Sequence, residues 1–129
     1  PNVWQINGHD NLEQVWFSGV HGDIGGGYPE AGLANIALRF MIERARKQEV
    51  QFQDERVAEF EPKPDGKLHT SYKGWIKLRG TKSRFIAPNS CVHESVIERR
   101  HNRDDDYDPK NLPVDGELHT TSTPELPNN

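Results

Sequence analysis

The stretch from Gln14 to Gln48 constrains the fold more than any other. It opens on the apolar run QVWFSGV, passes through HGDIGGGYPE, and ends in a segment with helical periodicity. A short run of aromatic and β-branched residues without clean alternation suits a strand covered on both faces, as in a parallel sheet. A strand is therefore expected over Gln14–Val20. Gly22 to Pro29 should interrupt regular structure, because consecutive glycines permit sharp reversals and close backbone approach. From Ala31 to Gln48, Leu33, Ile36, Ala37, Phe40, Met41 and Ala45 recur at the spacing of one helix face. Arg39, Glu43, Arg46 and Lys47 take the other side, and the basic residues of the last turns complement the helix dipole. Strand, glycine turn and amphipathic helix make the repeating unit of an α/β protein. Ligands of open α/β sheets bind outside the carboxyl ends of the strands, and His21 and Asp23 fall there.

The rest of the chain is less regular. VQF (Val50–Phe52) could form a short strand, and EPKPDGK reads as a turn-rich loop. Tyr72–Arg79 alternates enough for a strand, with SRFIAP as its hairpin partner. HESVIERR should give one or two helical turns resting on Val92, Val96 and Ile97. From about residue 101 the chain is rich in Asp, Pro, Asn and Thr, and reads as a tail that is either extended over a larger body or disordered. A buried strand needs neighbours on both sides. The later hairpin could supply them, but a further part of the sheet outside this sequence is the favoured source. Pro1 at the start and Met41 as the only methionine agree with a processed product or a piece of a longer reading frame.

Composition narrows the function classes. Hydrophobic residues are 33% of the 129 residues and mean hydropathy is −0.89, enough for one modest core. Net charge is −4 with both signs interspersed, which gives no footing for a nucleic-acid partner. A single cysteine, Cys91, rules out an internal disulfide and a Cys-based zinc site, and fits a reducing compartment such as the cytoplasm. No apolar run approaches the roughly 20 residues that span a bilayer, and no signal-peptide pattern opens the chain.

His21 is the leading candidate for chemistry. An imidazole on the loop after a strand is rigidly based yet accessible, and its ordinary pKa of about 6.5 suits proton exchange near neutrality. Asp23 could orient it directly or bond the backbone of the glycine turn. The two could also be metal ligands, but a third is wanting, and GDIGGGYPEAG matches neither dinucleotide nor phosphate-loop glycine patterns; no cofactor is expected. His9, His69, His101 and His119 stand in polar or loop contexts where surface placement is the default. His93 has an apolar neighbourhood that favours a structural role. Cys91 beside His93 lacks an acid and a fixed contact. Ser18 and Ser90 lack the strand–turn–helix setting of a nucleophile, and no Gly-x-Ser-x-Gly elbow occurs.

QVWFSGVHGDIGGGYPE followed by GLANIALRFMIERA resembles the C-terminal half of an α/β-hydrolase family first catalogued as a domain of unknown function. That family includes phospholipase effectors of bacterial type VI secretion systems. LHTSYKGW, VHESVIERR and YDPKNLP are similar to its trailing pattern. Ser18, Gly22 and Ala34-Asn35 depart from the family's usual Pro, Ser and Ser-Asp. The resemblance implies an α/β-hydrolase-like sheet over residues 1–100, with a tail over 101–129. It implies a serine esterase or phospholipase in which His21 is the base and Asp23 is the acid or a tie of the turn. The nucleophile would come from a GFSRG-type elbow upstream of this chain. It further implies an ester or phospholipid substrate, the upstream half of the same protein as a partner, and a secretion-apparatus or immunity partner for an exported effector. The competing expectation is a non-catalytic remnant or interaction module that folds against another polypeptide.

Overall fold

The computed structural model describes residues 12–70, 84–102, 106–113 and 118–124. Its elements run β1 (Val15–Trp16), α1 (His21–Gly25), α2 (Gly32–Arg46), α3 (Asp54–Ala58), β2 (Cys91–His93), α4 (Glu94–His101) and β3 (His119–Thr121). The three strands form one parallel sheet in the order β1-β2-β3. Val15 stands opposite Cys91, and Val92 opposite Thr120. Parallel strands need covering helices, and this is an α/β arrangement.

The helix expected over Ala31–Gln48 is α2. Leu33, Ile36, Ala37 and Phe40 form its buried line, joined by Ala34 and Ile42. Met41, expected in that line, is 62% exposed. It lies about a quarter-turn beyond Phe40, since each helical residue advances about 100°, and Ile42 takes the inward position instead. Arg44 and Arg46 close the last turn. Arg44 clamps the Glu13 carboxylate at 2.6 and 2.7 Å and lies 4.1 Å over the Phe40 ring.

The strand expected over Gln14–Val20 ends at Trp16. Gly19 has φ +121°, a conformation closed to ordinary L-residues, and it turns the chain out of the sheet. The segment Gly22–Pro29 was expected to be irregular, yet His21–Gly25 forms a short helix. The carbonyl of Val20 accepts from Asp23 N–H and Ile24 N–H, and this starts the turn. Gly26 stops it at φ +79° as a left-handed C-cap. Val50–Phe52 is not a strand; Gln51–Gln53 leads straight into α3. The strand expected over Tyr72–Arg79 lies outside the described residues. Of its expected partner SRFIAP, residues 84–88 are described and form no strand, although Ile86 is buried. HESVIERR is helical as α4. Part of the polar tail is ordered, because His119–Thr121 pairs with β2.

The core sits where β1 and β2 meet α2. Val92 is fully buried, and Phe17 packs edge-on against Phe40 with ring centroids 5.5 Å apart. Fully burying a side chain, as at Val92 and Phe40, contributes about 1.5–3 kcal/mol at each. Phe17 thus fixes the carboxyl end of β1 to the helix, and Asp23 stands six residues further on.

Candidate functional site

Asp23 is 3% exposed. A carboxylate removed from water costs several kcal/mol unless its oxygens are hydrogen-bonded, and here the local chain supplies the donors. Val20 N–H donates to Asp23 Oδ2 at 2.9 Å. This is the backward reach of an acidic third helix residue to the cap position. His69 N–H donates to the same oxygen at 3.2 Å, and His69 Nδ1 lies 2.6 Å from Oδ1. A ring nitrogen that close to a carboxylate oxygen must carry the hydrogen, so Nδ1–H donates and Nε2 is turned to the other side.

Glycine makes room for this carboxylate. A Cβ on Gly19 would come within 2.5 Å of Asp23 Cβ, so both its conformation and its space exclude other residues. A Cβ on Gly22 would lie 2.7 Å from Tyr28 Cε2. The Tyr28 ring can therefore lie flat on His69, with centroids 3.7 Å apart and planes 14° apart. The imidazole is held by an acid at its edge and an aromatic ring on its face.

On the far side, His69 Nε2 faces Glu30 Oε2 at 3.3 Å, and Lys67 Nζ donates to Glu30 Oε1 at 2.8 Å. The Lys67 hydrogen bond, its own backbone and His69 together hold the exposed Glu30 carboxyl down at about 2. The Glu30 contact to Nε2 is long and half-exposed, whereas the Asp23 contact to Nδ1 is short and buried. The ring is thus anchored through Nδ1, and Nε2 stands beside the half-exposed Glu30 carboxylate. Glu30 can accept from it only when the ring is doubly protonated; in the neutral ring Nε2 is the acceptor. This is the polarity an imidazole needs to take a proton from a nucleophile.

His21, the imidazole expected at this site, opens α1 and is exposed. It makes no hydrogen bond to Asp23 among the described residues. It lines a cleft of about 670 Å³ of mixed character, with Trp16, Ile24 and Leu68 beside Arg84 and Asn111. The carboxylate meets His69 instead, a residue that its sequence context assigned to the surface. The signal that could have found it lies in LHTSYKGW, where an apolar residue precedes the histidine within a motif already singled out.

His93 ends β2 and is 3% exposed. Its Nδ1 accepts from Ser95 N–H at 3.2 Å and contacts Ser95 Oγ at 2.9 Å. Its Nε2 lies 3.0 Å from Thr123 Oγ1. The ring stacks on Phe17 at 5.0 Å and meets Phe40 edge-on at 5.9 Å. Burial first, and Arg44 second, push its pKa down to about 4. Cys91 does not pair with it, and burial raises the Cys91 thiol above its ordinary value.

Among the described residues no group of three or more His, Cys, Asp or Glu could hold a metal ion. Asp23, His69 and Glu30 form a line of contacts through opposite ring nitrogens, not a set of converging ligands. No described helix is long and apolar enough to cross a membrane.

Residues 2–44 match the model of the family described as T6SS, Phospholipase effector Tle1-like, catalytic domain. The match covers β1, α1 and most of α2, and so takes in His21, Asp23 and Glu30; His69 and the β2–α4 unit lie beyond it. No curated protein and no solved structure matches the chain.

Proposed function

We propose, from the match of residues 2–44 to the Tle1-like phospholipase effector catalytic-domain model, that this chain supplies the acid and the histidine of a serine esterase. Its substrate is an acyl ester of a phospholipid, and its fold is the corresponding part of an α/β-hydrolase. The observation that carries this reading is the 2.6 Å contact between buried Asp23 and His69 Nδ1, just past the carboxyl end of β1. The serine comes from outside these 129 residues, since they contain no Gly-x-Ser-x-Gly elbow. His69 Nε2 takes the serine proton as the hydroxyl attacks the ester carbonyl. It then returns a proton to the departing alcohol, and water repeats the cycle on the acyl-enzyme. Asp23 holds the tautomer and stabilises the imidazolium as it forms. Such a protein would leave the cytoplasm through a type VI secretion apparatus, where an immunity partner would protect the producing cell.

A second reading keeps His21 as the base, favoured by its exposure and its place in the lining of that cleft. One experiment separates the two: phospholipid hydrolysis by the intact protein carrying His69→Ala, His21→Ala or Asp23→Asn. The first reading expects the first and third to lose at least about a thousand-fold in kcat, with His21→Ala near wild type. Loss confined to His21→Ala would transfer the role to His21. Full turnover in all three would leave the remnant or interaction module as the surviving reading.

A further inference from the structure

His69 is delivered to Asp23 by a stretch without regular structure, residues 59–70, and that stretch has to be held from outside. Two of its ties come from the start of α2: Asn35 Nδ2 donates to Glu61 O at 3.0 Å, and Lys63 N–H donates to Gly32 O at 3.1 Å. A third tie on the backbone of this stretch comes from α4. Arg99, 3% exposed, donates through Nη1 to Pro64 O at 2.8 Å and to Gly66 O at 2.5 Å. Its guanidinium also lies 5.4 Å from the centre of the Tyr107 ring.

We infer that Arg99 is a positioning residue for His69: through the carbonyls of Pro64 and Gly66 it sets the loop that brings the imidazole onto Asp23. This gives VHESVIERR a role beyond packing, and it rests on the proposed acid–histidine site only for its effect on turnover. A buried guanidinium is costly to desolvate, and its planar fork fixes the direction of each N–H. Two N–H groups of one nitrogen, aimed at carbonyls two residues apart, therefore define the local course of the chain and not only its proximity. Gly66 is where that course is tightest. Its N–H donates back to Lys63 O at 2.9 Å, and a Cβ on it would lie 2.8 Å from the same carbonyl oxygen. Two residues separate this pinned point from His69, so an error here is passed on to the imidazole.

The test uses the intact protein with Arg99→Met, Arg99→Lys and Gly66→Ala, read by the downfield proton resonance of His69 Nδ1–H and by phospholipid turnover. Gly66→Ala disturbs the same point from the loop's side, against Lys63 O and the start of α2, while keeping the Arg99 side chain, so it provides a second probe if Arg99→Met fails to fold. Arg99→Met and Gly66→Ala should each lose the resonance. They should also lower kcat about a hundred-fold, the cost of misplacing a reacting group by about 1 Å, with KM within about three-fold. Arg99→Lys should recover part of both. A folded Arg99→Met or Gly66→Ala protein with the resonance and kcat of wild type overturns the inference. If the resonance is lost but turnover is unchanged, and His69→Ala is equally active, the positioning stands and the catalytic reading of His69 falls.

Discussion

His69 and His93 are both largely enclosed, both stacked on an aromatic ring and both faced by an oxygen at Nε2, yet the two settings differ in the charge around the ring. His69 has a buried carboxylate on Nδ1 and the half-exposed Glu30 on Nε2. A positive charge on that ring has a fixed counter-ion waiting. His93 has a serine, a threonine and two phenylalanine rings around it. A charge there has no carboxylate to meet, and burial drives its pKa down to about 4. A base must be able to accept a proton and keep it through a transition state. The acid beside the ring, more than burial or stacking, separates the two.

The largest test of that contrast exchanges nothing but the acid. Asp23→Asn keeps the shape of the side chain but can present an N–H to Nδ1, which favours the wrong tautomer. A fall in kcat of about ten-thousand-fold is expected, as for the equivalent change in serine proteases, with KM little altered. His93→Gln should leave kcat within about five-fold. If His93→Gln abolishes turnover and Asp23→Asn does not, the roles drawn here are reversed.

Gly19→Ala attacks the same contrast through the backbone. A side chain at φ +121° is strained, at roughly 1–3 kcal/mol, and its Cβ would stand 2.5 Å from Asp23 Cβ. Thermal unfolding should show a loss of about that size. Turnover should fall about a hundred-fold as the carboxylate shifts from His69. His93 lies on another strand, and its ring resonances should not move. A shift at His93 equal to that at His69 would show that the two sites are not separable in this way.

Much of this architecture could be read from the residues, and the part that could not has a physical reason. α2 was legible because periodicity within fifteen residues is a local property, and Leu33, Ile36, Ala37 and Phe40 repeat it plainly. The placement of Asp23 past a strand end was legible for the same reason. The length of β1 was not, because Gly19 turns the chain early for the sake of a carboxylate four residues on. β3 was hidden because His119–Thr121 has little apolar character and pairs only through its backbone with β2. His69 was hidden most deeply. Its partner stands 46 residues away, and the tie that steadies its loop, Arg99, a further 30 residues along. Contacts of that range are set by topology, and spacing along the chain does not fix them.

Acid sharpens the comparison from the side of His93. Its pKa falls from 6.5 to about 4 on folding, so between those values the unfolded chain binds a proton that the folded chain refuses. Unfolding free energy therefore rises with pH across this window. The contribution of His93 is complete above about pH 6.5 and is lost as pH falls towards 4, by roughly 2–3 kcal/mol. Urea unfolding of wild type and His93→Gln at pH 7 and pH 4.5 isolates this part, because carboxylates such as Glu13 and Glu30 titrate equally in both proteins. The variant should lose less stability on acidification than wild type. An identical loss would mean that His93 is charged in the folded protein.

Thr123→Val makes the smallest change, and it bears on why His93 is held at all. Because Nδ1 already accepts from Ser95 N–H, the ring hydrogen lies on Nε2 and donates to Thr123 Oγ1 at 3.0 Å. Valine keeps the volume and removes the acceptor, leaving a buried N–H without its partner at a cost of about 1 kcal/mol. Thr123 follows β3 by two residues, so this bond ties the end of β2 to the segment that forms the sheet's third strand. Amide exchange in His119–Thr121 should quicken several-fold while phospholipid turnover stays unchanged. Quickened exchange with intact turnover would mark His93 as a joint of the sheet; slowed turnover with unchanged exchange would place it in the chemistry beside His69.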